Sequence, residues 1–174
     1  MSKRLIQIYT GNGKGKTTAA IGQAVRAAGS KLKSLIVMFM KEFPYGEVRS
    51  LKALSDYITI ECCGHDKFVL EKRPPSQEDL AIAHRALKRC EQAIHSGEFD
   101  VVILDEVCVA NYFKLVTVEE VLPLLENKPD GVELILTGRY CPQEWIDRAD
   151  LVTEMKEVKH YYQQGVIARK GFES

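Results

Sequence analysis

Long apolar runs are missing from this 174-residue chain; the longest, Leu35-Ile36-Val37-Met38-Phe39-Met40, has six residues, far fewer than the roughly 20 that a membrane-spanning helix needs. Cysteines are scarce and show no framework. They stand at 62, 63, 90, 108 and 141, an odd number with no Cys-x-x-Cys spacing, which excludes a disulfide scaffold and fits a reduced compartment. The four histidines (65, 84, 95 and 160) share no zinc-site spacing. There is no internal repeat, low-complexity tract or Gly/Ser linker. No secretory leader follows Lys3 and Arg4, because Gln7, Thr10 and Lys14 interrupt the apolar residues; the expected location is cytoplasmic, with no membrane partner. What remains is an ordinary globular mix of 45% apolar, 28% charged and 8% aromatic residues. A chain of this length buries roughly 70% of its unfolded surface, so residues 1–174 are read as a single domain.

Net charge is also absent, but its distribution is uneven. Residues 1–60 carry ten Lys or Arg against three acids, and the remainder carries a matching acidic excess. A basic N-terminal third suits an anionic ligand. It would equally suit a nucleic-acid face, but no RNP motif, zinc finger or arginine-rich tail supports that reading, and no nucleic-acid partner is expected.

Short β-rich runs alternate with helical periodicity. Strands are expected at Leu5–Tyr9, Ser34–Met40, Tyr57–Glu61, Val101–Leu104, Val132–Leu136 and Leu151–Met155. Helices are expected from Lys16 to Ala28, from the N-cap Ser76 to His95, after the Thr117/Glu120 capping box, and briefly after Pro142. In the second helix Leu80, Ala83, Leu87, Cys90 and Ile94 share one face. The stretch from Lys41 to Pro75, around the third strand, is the least regular and is expected to include a long functional or lid-like loop. Strand–helix alternation implies an α/β fold with a mostly parallel sheet and helices on both faces. Ligands of such folds bind at the carboxyl ends of the strands.

The strongest motif is Thr10-Gly11-Asn12-Gly13-Lys14-Gly15-Lys16-Thr17-Thr18, set between a strand and a helix. Glycines let successive backbone N–H groups curl around phosphate oxygens, and the helix start points its positive dipole end at them. Lys16 would neutralise phosphate charge and Thr17 would offer its hydroxyl to Mg²⁺. The motif is a P-loop, or Walker A, with one departure. Gly11 and Gly15 enclose three residues, where four usually stand between the first glycine and the Gly-Lys pair.

The second motif is Asp100-Val-Val-Ile-Leu-Asp105-Glu106, an apolar strand that delivers two carboxylates to the sheet edge where the P-loop cation would sit. One acid would bind the metal, directly or through water, and the other would orient a neighbour or a nucleophile. Leu136-Thr137-Gly138-Arg139 brings an arginine to the same rim, to pair with phosphate or with Glu106.

Several separated segments resemble the P-loop type of ATP:corrinoid adenosyltransferase. They are the shortened loop Thr10–Ala20, Arg26-Ala-Ala-Gly29, Phe39-Met-Lys41 with Gly46-Glu47, Val101–Glu106, Leu136–Arg139, Ala149–Met155 with Lys159-His160, and Gly165–Glu173. The resemblance implies a P-loop NTPase-like, RecA-like core and a specific reaction. Cobalt(I) of a reduced corrinoid attacks the 5′ carbon of ATP and triphosphate leaves, in adenosylcobalamin synthesis or salvage. It implies ATP as co-substrate, held in a reversed orientation, and Mg²⁺ on Thr17 and Glu106. Nucleotide contacts would come from Gly11, Asn12, Gly13, Lys14, Gly15, Lys16, Thr17, Thr18 and Arg26. Lys16, Glu106 and Arg139 become the catalytic candidates. An electron-donating flavoprotein and a homodimeric state are implied as well. The family's aromatic segment on the corrinoid side reads Cys63-Gly-His-Asp-Lys-Phe68 here, with no tryptophan, leaving Phe68 as the aromatic candidate. The alternative function is another P-loop enzyme, a small-molecule kinase or an ATPase releasing ADP.

Overall fold

The computed structural model describes residues 3–41, 46–64 and 73–172. Six strands form one sheet: β1 (Ile6–Thr10), β2 (Ser34–Met38), β3 (Ile58–Cys62), β4 (Val101–Asp105), β5 (Glu133–Thr137) and β6 (Leu151–Glu154). Their order is β3-β2-β4-β5-β1-β6, and every pairing is parallel. The helices are α1 (Lys16–Gly29), α2 (Gly46–Ser50), α3 (Gln77–Ser96), α4 (Val107–Tyr112), α5 (Val118–Glu126) and α6 (Gln143–Ile146). This is the expected α/β fold of the P-loop, RecA-like kind, in which β5 separates the P-loop strand β1 from the acidic strand β4.

The central strands β2 and β4 are buried at all five positions, as parallel strands covered on both faces must be. Alternation divides their side chains between two cores. Leu35, Val37, Val102 and Leu104 pack with the apolar stripe of α3, including Ala83, Leu87, Cys90 and Ile94, and with α4, α5 and Trp145 of α6. Ile36, Met38, Val101 and Ile103 face the other way, onto Ala20, Ala24, Ala27 and Ala28 of α1. That alanine stripe gives α1 a flat face that can lie close to the sheet. The chain's only tryptophan is wholly buried, and its Nε1–H donates to the carbonyl of Val118 at 3.3 Å, so it serves packing.

Some expected boundaries shift. The second strand ends at Met38, where the Phe39 N–H donates to the Asp105 carbonyl at 3.0 Å as the last rung of the β2–β4 ladder. The third runs one residue later than expected, over Ile58–Cys62. Helix α4 was not legible, since Val-Cys-Val-Ala has no polar face to betray a period, and three of its six residues are buried. The irregular stretch between Lys41 and Pro75 contains, besides β3, the short helix α2 and a 3-10 turn over Leu51–Leu54. Its residues 42–45 and 65–72, with Phe68, lie outside the described residues.

Both expected helix caps form. Ser76 accepts from the Asp79 N–H at 3.2 Å while Asp79 accepts from the Ser76 N–H at 2.7 Å, and Thr117 with Glu120 repeats the arrangement. Burial works against the Asp79 carboxylate, but Arg73 at 2.8 Å and the Ser76 donors overcome it and lower its pKa to about 2. The folded value lies below the unfolded one, so the Asp79 contribution is complete above about pH 4 and is lost as pH falls through about 2. Ser76→Ala should cost about 1 kcal/mol, read as a lower denaturant midpoint at neutral pH. Asp79→Asn should flatten the acid limb of the stability curve.

Candidate functional site

The carboxyl ends of β1, β2 and β4 open into a cavity of about 670 Å³ lined by residues 13–18, Lys41, Glu106 and Arg139, with Glu47 and Ser50 of α2 and His160, Gly171 and Phe172 from the C-terminal segment. The loop after β1 holds its shape through the chain's other end. The Gly13 N–H donates to the Met155 carbonyl at 2.6 Å, and the Met155 N–H donates to the Thr10 carbonyl at 2.8 Å. A Cβ at Gly11 would lie 2.5 Å from the Met155 oxygen, and one at Gly13 would lie 2.7 Å from it. These glycines are required by the close approach of residue 155 as well as by any ligand. Gly15, with φ near 118°, turns the loop into the start of α1.

Lys16 curls back over the loop, its ammonium donating to the carbonyls of Gly11 and Gly13, each at 2.7 Å. Burial lowers its pKa, opposed by the carboxylate of Glu106. Lys14 reaches the Phe172 carbonyl at 2.7 Å and the Tyr161 hydroxyl at 3.4 Å. Arg169 in turn lies over the rings of Tyr161 and Phe172. The C-terminal segment is thereby tied to the P-loop.

Opposite the loop, Glu106 stands between β4 and α4. Burial raises its pKa, and the neighbouring Asp105 charge adds to the effect, while Lys16, Lys41 and Arg139 oppose it. Asp105 is almost wholly buried, and its Oδ2 has no hydrogen-bond partner among the described residues. The Lys41 ammonium lies 3.6 Å from that oxygen and 3.3 Å from Glu47. Burial disfavours the Lys41 charge, yet Asp105, Glu47 and Glu106 outweigh it and raise its pKa.

The structure thus brings together Gly13, Lys14, Gly15, Lys16, Thr17, Thr18, Glu106 and Arg139. Gly11 packs under the loop and Asn12 is exposed at its tip. Arg26 does not reach the cavity. It sits exposed ten residues beyond Lys16 on α1, about 15 Å along the axis at 1.5 Å per residue. Sequence reasoning had not assigned Lys41, Glu47, Ser50, His160, Gly171 or Phe172 to the site; no local motif marks them, and all but Ser50 stand in segments that carry the family resemblance.

The donor set suits a hard cation. Thr17 and Glu106 line the cavity, and Asp105 carries a buried oxygen with no hydrogen bond among the described residues. Among the described residues there is no cluster of three His, Cys, Asp or Glu side chains that would cage a metal by itself. Mg²⁺ is commonly held by one or two protein oxygens together with phosphates and water.

Residues 2–174 match the family described as ATP:corrinoid adenosyltransferase BtuR/CobO/CobP. The chain is 32% identical to a corrinoid adenosyltransferase of Escherichia coli (strain K12) over 97% of its own length and 85% of that protein. It is 33% identical to the corrinoid adenosyltransferase CobA of Salmonella typhimurium, again over 97% and 85%. The chain belongs to this family. It is an enzyme that transfers the adenosyl group of ATP to a corrinoid in cobalamin synthesis. Among solved structures, the flagellar accessory protein FlaH of Methanocaldococcus jannaschii aligns with a TM-score of 0.57 over 88% of this chain and 72% of that one, at 13% identity, a likeness of fold alone.

Lys16→Ala should weaken ATP binding by roughly tenfold to a hundredfold, the worth of one or two charge-assisted hydrogen bonds, with the melting temperature close to that of the parent. Calorimetric titration and thermal melting check both halves. Gly13→Ala should instead lower the melting temperature as well, because the added methyl drives Met155 away.

Proposed function

We propose that this adenosyltransferase binds the polyphosphate of ATP along residues 13–18, with Thr17 and Glu106 holding Mg²⁺, and presents the 5′ carbon to a corrinoid reduced to cobalt(I). The observation that carries the reading is the glycine-rich loop preorganised at a helix N-terminus, with Lys14, Lys16, Lys41 and Arg139 around one cavity. Four cations suit a leaving group as charged as triphosphate. Cobalt(I) needs no base to become nucleophilic, so the protein's contribution is alignment and charge stabilisation. The cobalt lone pair forms the Co–C5′ bond, and the C5′–O bond breaks with its electron pair leaving on the triphosphate oxygen. Cobalt passes formally from I to III. Bound Mg²⁺ would add charge neutralisation on the polyphosphate.

Lys16 must exchange the carbonyls of Gly11 and Gly13 for phosphate oxygens, and Lys14 must exchange that of Phe172. Arg139 stands on the rim where it can pair with phosphate. To the same reading belong an electron-donating flavoprotein, a homodimeric state and a cytoplasmic location; among the described residues no helix is long and apolar enough to cross a membrane.

Incubation with ATP, Mg²⁺ and chemically reduced cobalamin, followed by visible spectroscopy and nucleotide chromatography, tests the proposal. Stoichiometric triphosphate and adenosylcorrinoid are expected, with little ATP turnover when the corrinoid is omitted. ADP as the main corrinoid-dependent product would overturn it in favour of phosphoryl transfer.

A further inference from the structure

We propose that Thr137, at the carboxyl end of β5, is a positioning residue for the cation of the ATP complex, because its hydroxyl locks Asp105 and Glu106 into the arrangement that presents Glu106 to the cavity. The inference rests on the reading that Thr17 and Glu106 hold that cation. Strand register places the residue. Leu136 pairs with Leu104, so Thr137 stands beside the point where β4 ends in its two acids. Its side chain is wholly buried. The hydroxyl makes two bonds there: it donates to Asp105 Oδ1 at 2.8 Å and accepts from the Glu106 N–H at 2.9 Å. A backbone amide only donates, so the hydroxyl oxygen accepts from Glu106 and its own proton goes to the Asp105 carboxyl oxygen.

The second bond falls on a strained residue. Glu106 has φ 62° and ψ 20°, a left-handed conformation that is unfavourable for a side-chain-bearing residue and persists only where its surroundings impose it. That turn stops β4 at Asp105 and starts α4 at Val107. Because of it, Glu106 lines the cavity instead of extending the strand. The first bond fixes Asp105. With Oδ1 taken by Thr137, the other oxygen is left buried, without a hydrogen bond among the described residues, 3.6 Å from the Lys41 ammonium. One hydroxyl therefore determines the placement of both carboxylates. Without it, the Glu106 amide and Asp105 Oδ1 would lose their partner, the Lys41 ammonium alone would hold Asp105, and the carboxyl groups would turn to find others. Removing a group that orients a metal ligand typically weakens the metal about tenfold to a hundredfold.

The test is a Mg²⁺ titration of ATP binding by calorimetry on the full chain, comparing Thr137→Val, Thr137→Ser and Glu106→Gln with the parent. Val matches Thr in shape and lacks the hydroxyl; Ser keeps the hydroxyl. Thr137→Val should raise the half-saturating Mg²⁺ concentration by about tenfold or more. ATP affinity should return at saturating Mg²⁺, and Thr137→Ser should restore most of the cation dependence. A purely packing role predicts the opposite pattern: a lower melting temperature and weaker ATP binding that Mg²⁺ does not relieve, equal in the Ser and Val variants. That result would overturn the inference, as would parental Mg²⁺ dependence in Thr137→Val alongside a shifted Glu106→Gln. An unshifted Glu106→Gln would instead remove the cation reading itself, and this inference with it. Should the Val variant not fold, Thr137→Ala set against Thr137→Ser isolates the same hydroxyl.

Discussion

The site depends on one constraint, the backbone junction between the P-loop and the end of β6. Strand β1 is paired on both sides, with β5 and β6, so its exit is held in register before the loop begins. Beyond the strand, residues 10 and 13 bond to the two backbone groups of Met155. The loop is shaped by the protein's own chain before any ligand arrives. Preorganisation of this kind spares the ordering cost that a flexible glycine loop would impose on binding. It also explains why β6, exposed at all four positions, matters to a site on the other side of the loop.

A second consequence is that the cavity's charges are already engaged with one another or with backbone. Lys16 is held by loop carbonyls, Lys14 by the carbonyl of Phe172, and Lys41 by Asp105 and Glu47. Burial shifts Lys16 and Glu106 in opposite directions, each toward its neutral form. In the proposed complex a polyphosphate entering with a cation would answer both penalties, bringing acceptors to the lysines and a positive charge to the carboxylates. Binding would then be an exchange of partners, in which the C-terminal segment takes part through Phe172. That arrangement serves a reaction whose nucleophile comes ready-made and whose difficulty lies in alignment and in the departing charge.

Much of the architecture was written locally. Continuous apolar runs in β2 and β4 dictate strands covered on both faces, and the stripe of α3 dictates a helix on one of them. The Ser76/Asp79 and Thr117/Glu120 boxes mark two helix starts because a cap is a contact between residues three apart. The P-loop and the acid pair at 105 and 106 were legible for the same reason, each being a contiguous set of residue types with a chemical purpose. So was the expectation that they meet, since a parallel sheet places the carboxyl ends of β1 and β4 on one edge. Family resemblance added the reaction, which no spacing states.

What tertiary structure alone decided are contacts between residues far apart in sequence. Met155 shapes a loop more than 140 positions earlier, Phe172 caps Lys14, and Thr137 reaches across from β5 to Asp105 and Glu106. Arg26 shows the converse, a residue one helix away from the P-loop in sequence that the straight course of α1 carries out of the cavity. Helix α4 was hidden because it is too short and too buried to display a polar face. Sequence periodicity reports which side of an element meets the core. It does not report which distant backbone will come within hydrogen-bonding distance of a loop, and in this protein that proximity builds the site.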